Sequence, residues 1–425
     1  FGPENKRAYF PSISASWNIS NEDFLVNNET INTLRLRLSA GKVGSTNTAD
    51  FAYLQFFKTA SNDLYNGNTA VIPSNSFPNI NIGWEKTSEI NAGLDFALFN
   101  SRLRGGIDVY SRKTTDALAN TPIPQELGPN SYFSNFVDIS NRGVEISLGG
   151  DIIKTDDFSW TTNINWSLNR NKLDKINGAE INQFSLDYFI EGQPVGTIKG
   201  YKVVKIIQDQ TEIDDLNAAS PTGSYDQFST GVGDYLYEDI NGDGRITADD
   251  RAVIGNIQPD FFGGISNTIT YKNFGLSALL QYSVGGERTW SNIPFGTLNI
   301  LGENKYTEYA LNTWTPENPD ARYARALYFD PSASSRTSDR YLYDTSYLRL
   351  KNLQFFYNLD SALMKKIGVT NAKLMLTGTN LLTWTNWPGM DPETFSERGG
   401  IIDQVNNEDP YPLSKSFSFG VQFQF

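Results

Sequence analysis

The last residues of the chain alternate without a break. Phe417, Phe419, Val421, Phe423 and Phe425 share one parity, and Ser416, Ser418, Gly420, Gln422 and Gln424 share the other. A period of two puts each set on one side of an extended strand. One side is wholly apolar, the other small or polar. In a soluble sandwich that pattern means a packed core and a wet surface. In a transmembrane barrel it means lipid outside and a wet lumen.

The pattern recurs upstream. Leu34, Leu36 and Leu38 alternate with Arg35, Arg37 and Ser39. Ile90, Ala92, Leu94, Phe96 and Leu98 alternate with Glu89, Asn91, Gly93 and Asp95. Trp160, Thr162, Ile164, Trp166 and Leu168 alternate with Thr161, Asn163, Asn165, Ser167 and Asn169. Strands are predicted near 8–20, 31–44, 82–99, 102–118, 140–154, 158–171, 261–272, 274–288, 345–359, 372–384 and 415–425. Several exceed the roughly 5–6 residues usual in soluble sheets.

The connections between them alternate in length. Short ones fall at Asn100-Ser101, 155–157, 272–274, 21–30 and 360–371. Long ones fall near 45–81, 119–139, 172–260, 289–344 and 385–414. Short periplasmic turns alternating with long extracellular loops are the layout of an outer-membrane barrel. No window approaches the roughly 18 consecutive apolar residues of a transmembrane helix. The fold class expected is therefore all-β, a transmembrane antiparallel barrel. The strand count is odd, whereas bacterial barrels are even. Either one strand is missed, or the chain is the C-terminal portion of a larger barrel. The start at Phe1, without an export signal, favours the second.

Composition removes chemistries. The chain has no cysteine and no histidine. Thiol catalysis, zinc–thiolate sites and a Ser-His-Asp triad are excluded. A net charge of −13 argues against a nucleic-acid partner. No carboxylate pair stands out by spacing as a general acid and base. Arg35, Arg37, Arg102 and Arg104 project from polar strand faces, either to line a lumen or to pair with neighbouring acids.

The sharpest local motif spans residues 239–250. Asp239, Asn241, Asp243, Thr247 and Asp250 put oxygens at positions 1, 3, 5, 9 and 12 of a twelve-residue calcium loop, with Gly244 at the sharp turn. Arg245 would offer only its backbone carbonyl. Asp250 stands where a bidentate Glu is usual. The expectation is a structural Ca2+ that stiffens a long loop; the alternative is an Asx-rich turn without an ion. The long connections also carry Trp290, Trp314, Trp384 and Trp387, candidates for substrate contact or for interfacial and packing anchors.

Several segments, in order, resemble the SusC/RagA family of TonB-dependent outer-membrane transporters of Bacteroidetes. They are Phe10-Pro11-Ser12 running to Trp17, Tyr110-Ser111-Arg112 running to Asp116 and Leu118, and Asn141-Arg142-Gly143-Val144-Glu145. The 239–250 stretch follows, with Ile254-Gly255-Asn256, then Tyr347-Leu348-Arg349-Leu350-Lys351-Asn352, Gly378-Thr379-Asn380-Leu381-Leu382-Thr383 and Asp391-Pro392-Glu393. Phe423 and the terminal Phe425 are similar to an aromatic barrel-insertion signal.

The resemblance implies a barrel of roughly 22 strands, of which this chain would be about half. The family's N-terminal plug and TonB-contacting segment have no counterpart in the sequence. It also implies TonB-dependent uptake of large oligosaccharides or peptides, a SusD-like surface lipoprotein over the long loops, TonB-ExbB-ExbD as energy source and an outer-membrane lipid surround. The alternative is a SusC-like barrel serving as a scaffold or binding subunit without import. A surface glycan hydrolase is the least supported reading.

Overall fold

A computed structural model describes residues 2–45, 50–65, 68–73, 76–122, 131–176, 190–290, 306–359, 368–393, 406–407 and 411–425. Eleven strands form one antiparallel meander in which each pairs with its sequence neighbours. They are β1 (Ser12–Asn18), β2 (Ile31–Ser45), β3 (Glu85–Leu98), β4 (Leu103–Pro122), β5 (Ser131–Lys154) and β6 (Phe158–Ile176). β7 (Phe261–Tyr271), β8 (Phe274–Val284), β9 (Tyr347–Asn358), β10 (Asn371–Thr385) and β11 (Ser416–Gln424) complete the sheet. All eleven predicted strands are present. The sheet is open, since β1 and β11 each pair on one side only.

Register keeps one apolar face continuous. Trp166 stands opposite Gly263, Ile164 opposite Ile265, Ile265 opposite Leu280, and Leu280 opposite Leu350. Leu350 then faces Leu382, and Leu376 faces Phe419. This face stays bare: Phe417 is 74% exposed and Phe419 70%. So much exposed aromatic surface in a paired, regular sheet is what a lipid-facing band requires.

The band has aromatic margins. Near the short turns Phe274 packs on Tyr357 and Phe355, with ring centroids 4.7 and 6.0 Å away. Near the loops Phe261 packs on Trp166 and Tyr282. Along β7 the margins at Tyr271 and Phe261 lie ten residues apart. At about 3.3 Å per residue and a tilt of about 40°, that is roughly 25 Å, the height of an outer-membrane apolar band.

The short turns are built by unusual backbone. Phe99, Asn100 and Ser101 all hold positive φ, of 57°, 56° and 60°. The turn is tied down by Ser101 N donating to Asn32 Oδ1. Lys272, at φ 51°, closes the two-residue link between β7 and β8.

Two expectations need correction. The segment 119–139, expected as a loop, is largely strand, with β4 and β5 paired as far as Pro122 opposite Ser131. The register shifts twice, between Thr114 and Ala117 and between Ala117 and Leu118, with Asp116 at φ 59°. A bulge resets the parity of alternation, so a period-two reading loses the strand there. The other correction concerns the longest connections. Residues 177–260 contain ladders of Thr197–Gly200 with Ala252–Asn256 and Val203–Ile206 with Tyr235–Tyr237, and residues 285–346 one of Glu287–Trp290 with Leu342–Asp344. The first also holds a helix, α1 (Gln210–Ala219), whose N-cap Asp209 accepts from Glu212 N.

In the full-length protein, Ile265→Arg on the apolar face should cost about 2–4 kcal/mol of folding stability in lipid vesicles. Ser266→Arg, one residue on and facing the other way, should cost much less. Equal losses in urea titrations would refute the assignment of faces.

Candidate functional site

The inward face of the wall has two textures. On β2–β4 it is charged and internally paired. Arg35 Nη2 lies 2.7 Å from Asp95 Oδ2, and Arg37 bridges Asp95 and Asp108 at 2.8 and 2.9 Å. Arg112 pairs with Glu89 at 2.7 Å. The guanidinium of Arg102 instead donates to the carbonyls of Asp151 and Ile152. From β5 onward amides and hydroxyls dominate. Asn169 and Asn171 both donate to Asn141 Oδ1, and Tyr110 Oη donates to Asn169 Oδ1. The Tyr110 ring lies over Gly143, where any side chain would collide with it.

Above the wall, the long connections pack into a cap. Its core contains Tyr201, Val203, Ile206, Tyr225, Tyr235 and Tyr237 from residues 177–260, and Trp290, Tyr309, Tyr323 and Tyr341 from 285–346. Trp387, from the connection 386–415, joins the same core. Tyrosine dominates because each ring fills apolar volume while its hydroxyl can bond a loop carbonyl. Tyr341 Oη donates to Ser334 O, Tyr235 Oη to Arg322 O and Tyr225 Oη to Tyr237 O.

Two ion pairs staple the first two connections together. Arg336 pairs with Asp226, and its guanidinium lies 3.9 Å from the Tyr237 ring centroid and 4.7 Å from that of Tyr201. Arg325 binds Asp234 through two hydrogen bonds of 2.8 and 2.9 Å. Both carboxylates are buried, with side chains only 4% and 3% exposed. Removing one partner of such a pair costs about 3–5 kcal/mol, because a buried charge is left uncompensated.

A third cluster ties the cap to the wall. Arg349 of β9, 1% exposed, donates to Asp391 at 2.6 Å. Glu393 lies 3.6 Å from Arg349 and 3.2 Å from Lys351, and accepts from Gln281 of β8. Two segments read separately in the sequence, 347–352 and 391–393, thus meet as one latch. Periodicity carries no signal for that contact, nor for the Arg336–Asp226 pair.

The candidate metal residues are brought together as a self-bonded loop. Asp239 accepts from Gly242 N and Gly244 N at 2.8 and 2.7 Å. Asp250, fully buried, accepts from Ile240 N, Asn241 N and Thr247 N. Asn241 accepts from Asp243 N, and Asp243 accepts from Arg245 N. Gly244 holds the expected positive φ of 79°. Yet among the described residues no three Asp or Glu side chains converge as a metal site. Asp239 and Asp250 each accept N–H groups through both oxygens, so the loop is closed by its own hydrogen bonds while each carboxylate keeps further acceptor sites.

The four candidate tryptophans separate. Trp290 and Trp387 are buried in the cap core, 2% and 5% exposed, and pack there on Tyr343. Their ring faces are used in packing. Trp314 covers Gly233 and donates to Gln208. Trp384 is 52% exposed at the loop end of β10, opposite Leu348 on the apolar face, the position of a girdle residue.

Among the described residues of the cap, two adjacent aromatics stand bare, Tyr328 (56% exposed) and Phe329 (75%). Asp330 N donates to Leu327 O, closing a four-residue turn with Phe329 third at φ 59°. Glycine is the usual residue at a third position of positive φ, and a bulky side chain there costs about 1–2 kcal/mol.

No protein-family model matches the chain. The TonB-dependent receptor P3 of Formosa agariphila is 32% identical over 443 residues, covering 100% of this chain and 42% of the relative. The TonB-dependent receptor SusC of Bacteroides thetaiotaomicron is 28% identical over 444 residues, again covering all of this chain and 41% of the relative. The solved structure of the RagAB peptide transporter superposes with a TM-score of 0.81 at 26% identity, covering 100% of this chain and 44% of that one. The chain therefore spans less than half the length of the proteins it matches.

The cap should fail abruptly in alkali. Burial holds the hydroxyls of Tyr225, Tyr235, Tyr237, Tyr323 and Tyr341 above the ordinary tyrosine pKa. In the unfolded chain they ionise near pH 10. Their contribution is thus fully present below pH 10 and is lost as pH rises beyond it. Tyrosinate absorbance should rise in one cooperative step together with loss of protease resistance in the loops. Independent titration near pH 10 with the cap intact would refute this.

Proposed function

From its place in the SusC/RagA group of TonB-dependent outer-membrane receptors, which this chain matches along its whole length and whose barrel wall it forms, we propose that the protein imports large nutrients. The cargo is an oligosaccharide or peptide too large for porins. A SusD-like lipoprotein closes over the cap, and TonB-ExbB-ExbD supplies the energy through parts of the protein outside these residues.

One observation carries this reading. A wall apolar outside and polar inside bears, on one side only, long connections packed into a cap. A scaffold needs the wall and not a packed cap latched to it. Within the proposal, the cap and lipoprotein hold the ligand outside, the paired and amide-lined inner face keeps the passage wet, and the chain performs no bond chemistry.

The remaining expectations are separate proposals with separate tests. A calcium ion in the 239–250 loop should be lost, at one per chain, in Asp239→Ala with Asp243→Ala; unchanged stoichiometry would leave the loop closed by its own hydrogen bonds. Phe425 is 87% exposed beyond the end of β11. As part of an insertion signal, its deletion should lower surface assembly.

Import is tested in the living cell. Deleting the gene should abolish uptake of labelled oligosaccharide or peptide, deleting TonB should do the same, and a surface lipoprotein should copurify with the tagged receptor. Uptake that persists without the gene, while the protein still copurifies with surface partners, would favour the scaffold.

A further inference from the structure

The turn at residues 327–330 presents two large rings to solvent on a fixed base. Tyr328 and Phe329 lie 4.3 Å apart between ring centroids at 62°, so their faces form an open corner. The base does not give. Asp330 Oδ1 accepts from Ser334 N at 2.9 Å and Oδ2 from Ser335 N at 2.8 Å. Ser229 N donates to Pro331 O, and Tyr341 Oη donates to Ser334 O, tying the turn into the cap core. Burial within the chain does not offset the unfavourable backbone of Phe329, because three quarters of the residue is bare. A strained, exposed and rigidly held aromatic points to contact with something outside the chain.

We propose that Tyr328 and Phe329 form a stacking site for a neutral sugar ring of an incoming oligosaccharide. The inference rests on the import reading and names its substrate class. Two arguments select this occupant. A stable protein partner needs roughly 800 Å² on each side, and this turn offers two side chains. A sugar ring needs little more: its C–H face carries slight positive charge and fits the negative face of an aromatic ring. The chain's net charge of −13, with the neighbouring Arg325 and Arg336 already paired to Asp234 and Asp226, disfavours an anionic polysaccharide. A rigid corner also loses little conformational freedom on binding.

The test uses the full-length receptor with its copurifying lipoprotein and calorimetric titration of neutral hexasaccharides (cellohexaose, mannohexaose and xylohexaose), a sulfated hexasaccharide and a mixed hexapeptide pool. At least one neutral hexasaccharide should bind. Phe329→Ala should weaken it about tenfold, and Phe329→Trp should retain it. Phe329→Gly should lose affinity to the same degree with the melting temperature unchanged or raised, because glycine accepts the positive φ.

Unchanged affinity in both Phe329→Ala and Phe329→Gly overturns the site. Binding of only the sulfated sugar or only peptide overturns the neutral-sugar class while leaving import standing. Loss of lipoprotein copurification in Phe329→Ala, with sugar affinity intact, would make the turn a docking contact and also overturn the proposal.

Discussion

A backbone amide in hydrocarbon has no water to bond, so every N–H and C=O in the apolar band must find a partner within the sheet. The rest of this structure follows from that requirement. It forces unbroken antiparallel pairing from β1 to β11, and pairing forces alternate side chains to opposite faces. The apolar rows through Ile164, Ile265, Leu280 and Leu350 are its consequence. The two outer edges, on β1 and β11, carry N–H groups with no partner in this sheet, so closure in a bilayer needs strands beyond these eleven.

Outside the band the constraint relaxes, and a different economy takes over. The cap has only short ladders, such as Val203–Ile206 with Tyr235–Tyr237, and its segments are joined largely by side chains. Tyrosine rings supply its volume, and Arg336–Asp226 and Arg325–Asp234 fix which segment meets which. Burying charge is costly unless it is paired with good geometry, so such pairs act chiefly by penalising every arrangement that separates them.

How far the sequence could be read divides along the same line. Alternation located every wall strand because a strand's neighbours are set by parity. It failed at residues 119–139, just past the bulge that shifts that parity, and throughout residues 177–260 and 285–346, where contacts link positions far apart in the chain. Trp290 and Trp387 were readable as aromatics in long connections, but their burial was not, since it depends on three connections meeting. The segments that carried the family resemblance proved to be architectural where their contacts are described. Tyr110 lies over Gly143, Arg112 pairs with Glu89, and Arg349 latches Asp391. Residues that hold a wall together report the fold, which explains why the fold was plain in the sequence and the contacts of the irregular cap were not.

The short stretch from Trp387 to Glu393 is fastened at both ends. Its tryptophan is sunk in the cap and its two acids grip β9. Seven residues held this way act as a strut. A strut resists being lengthened, so the cap cannot lift straight off the wall without breaking a buried ion pair or uprooting an aromatic ring. Any displacement of the cap that keeps the strut intact is a tilt or a slide about this point.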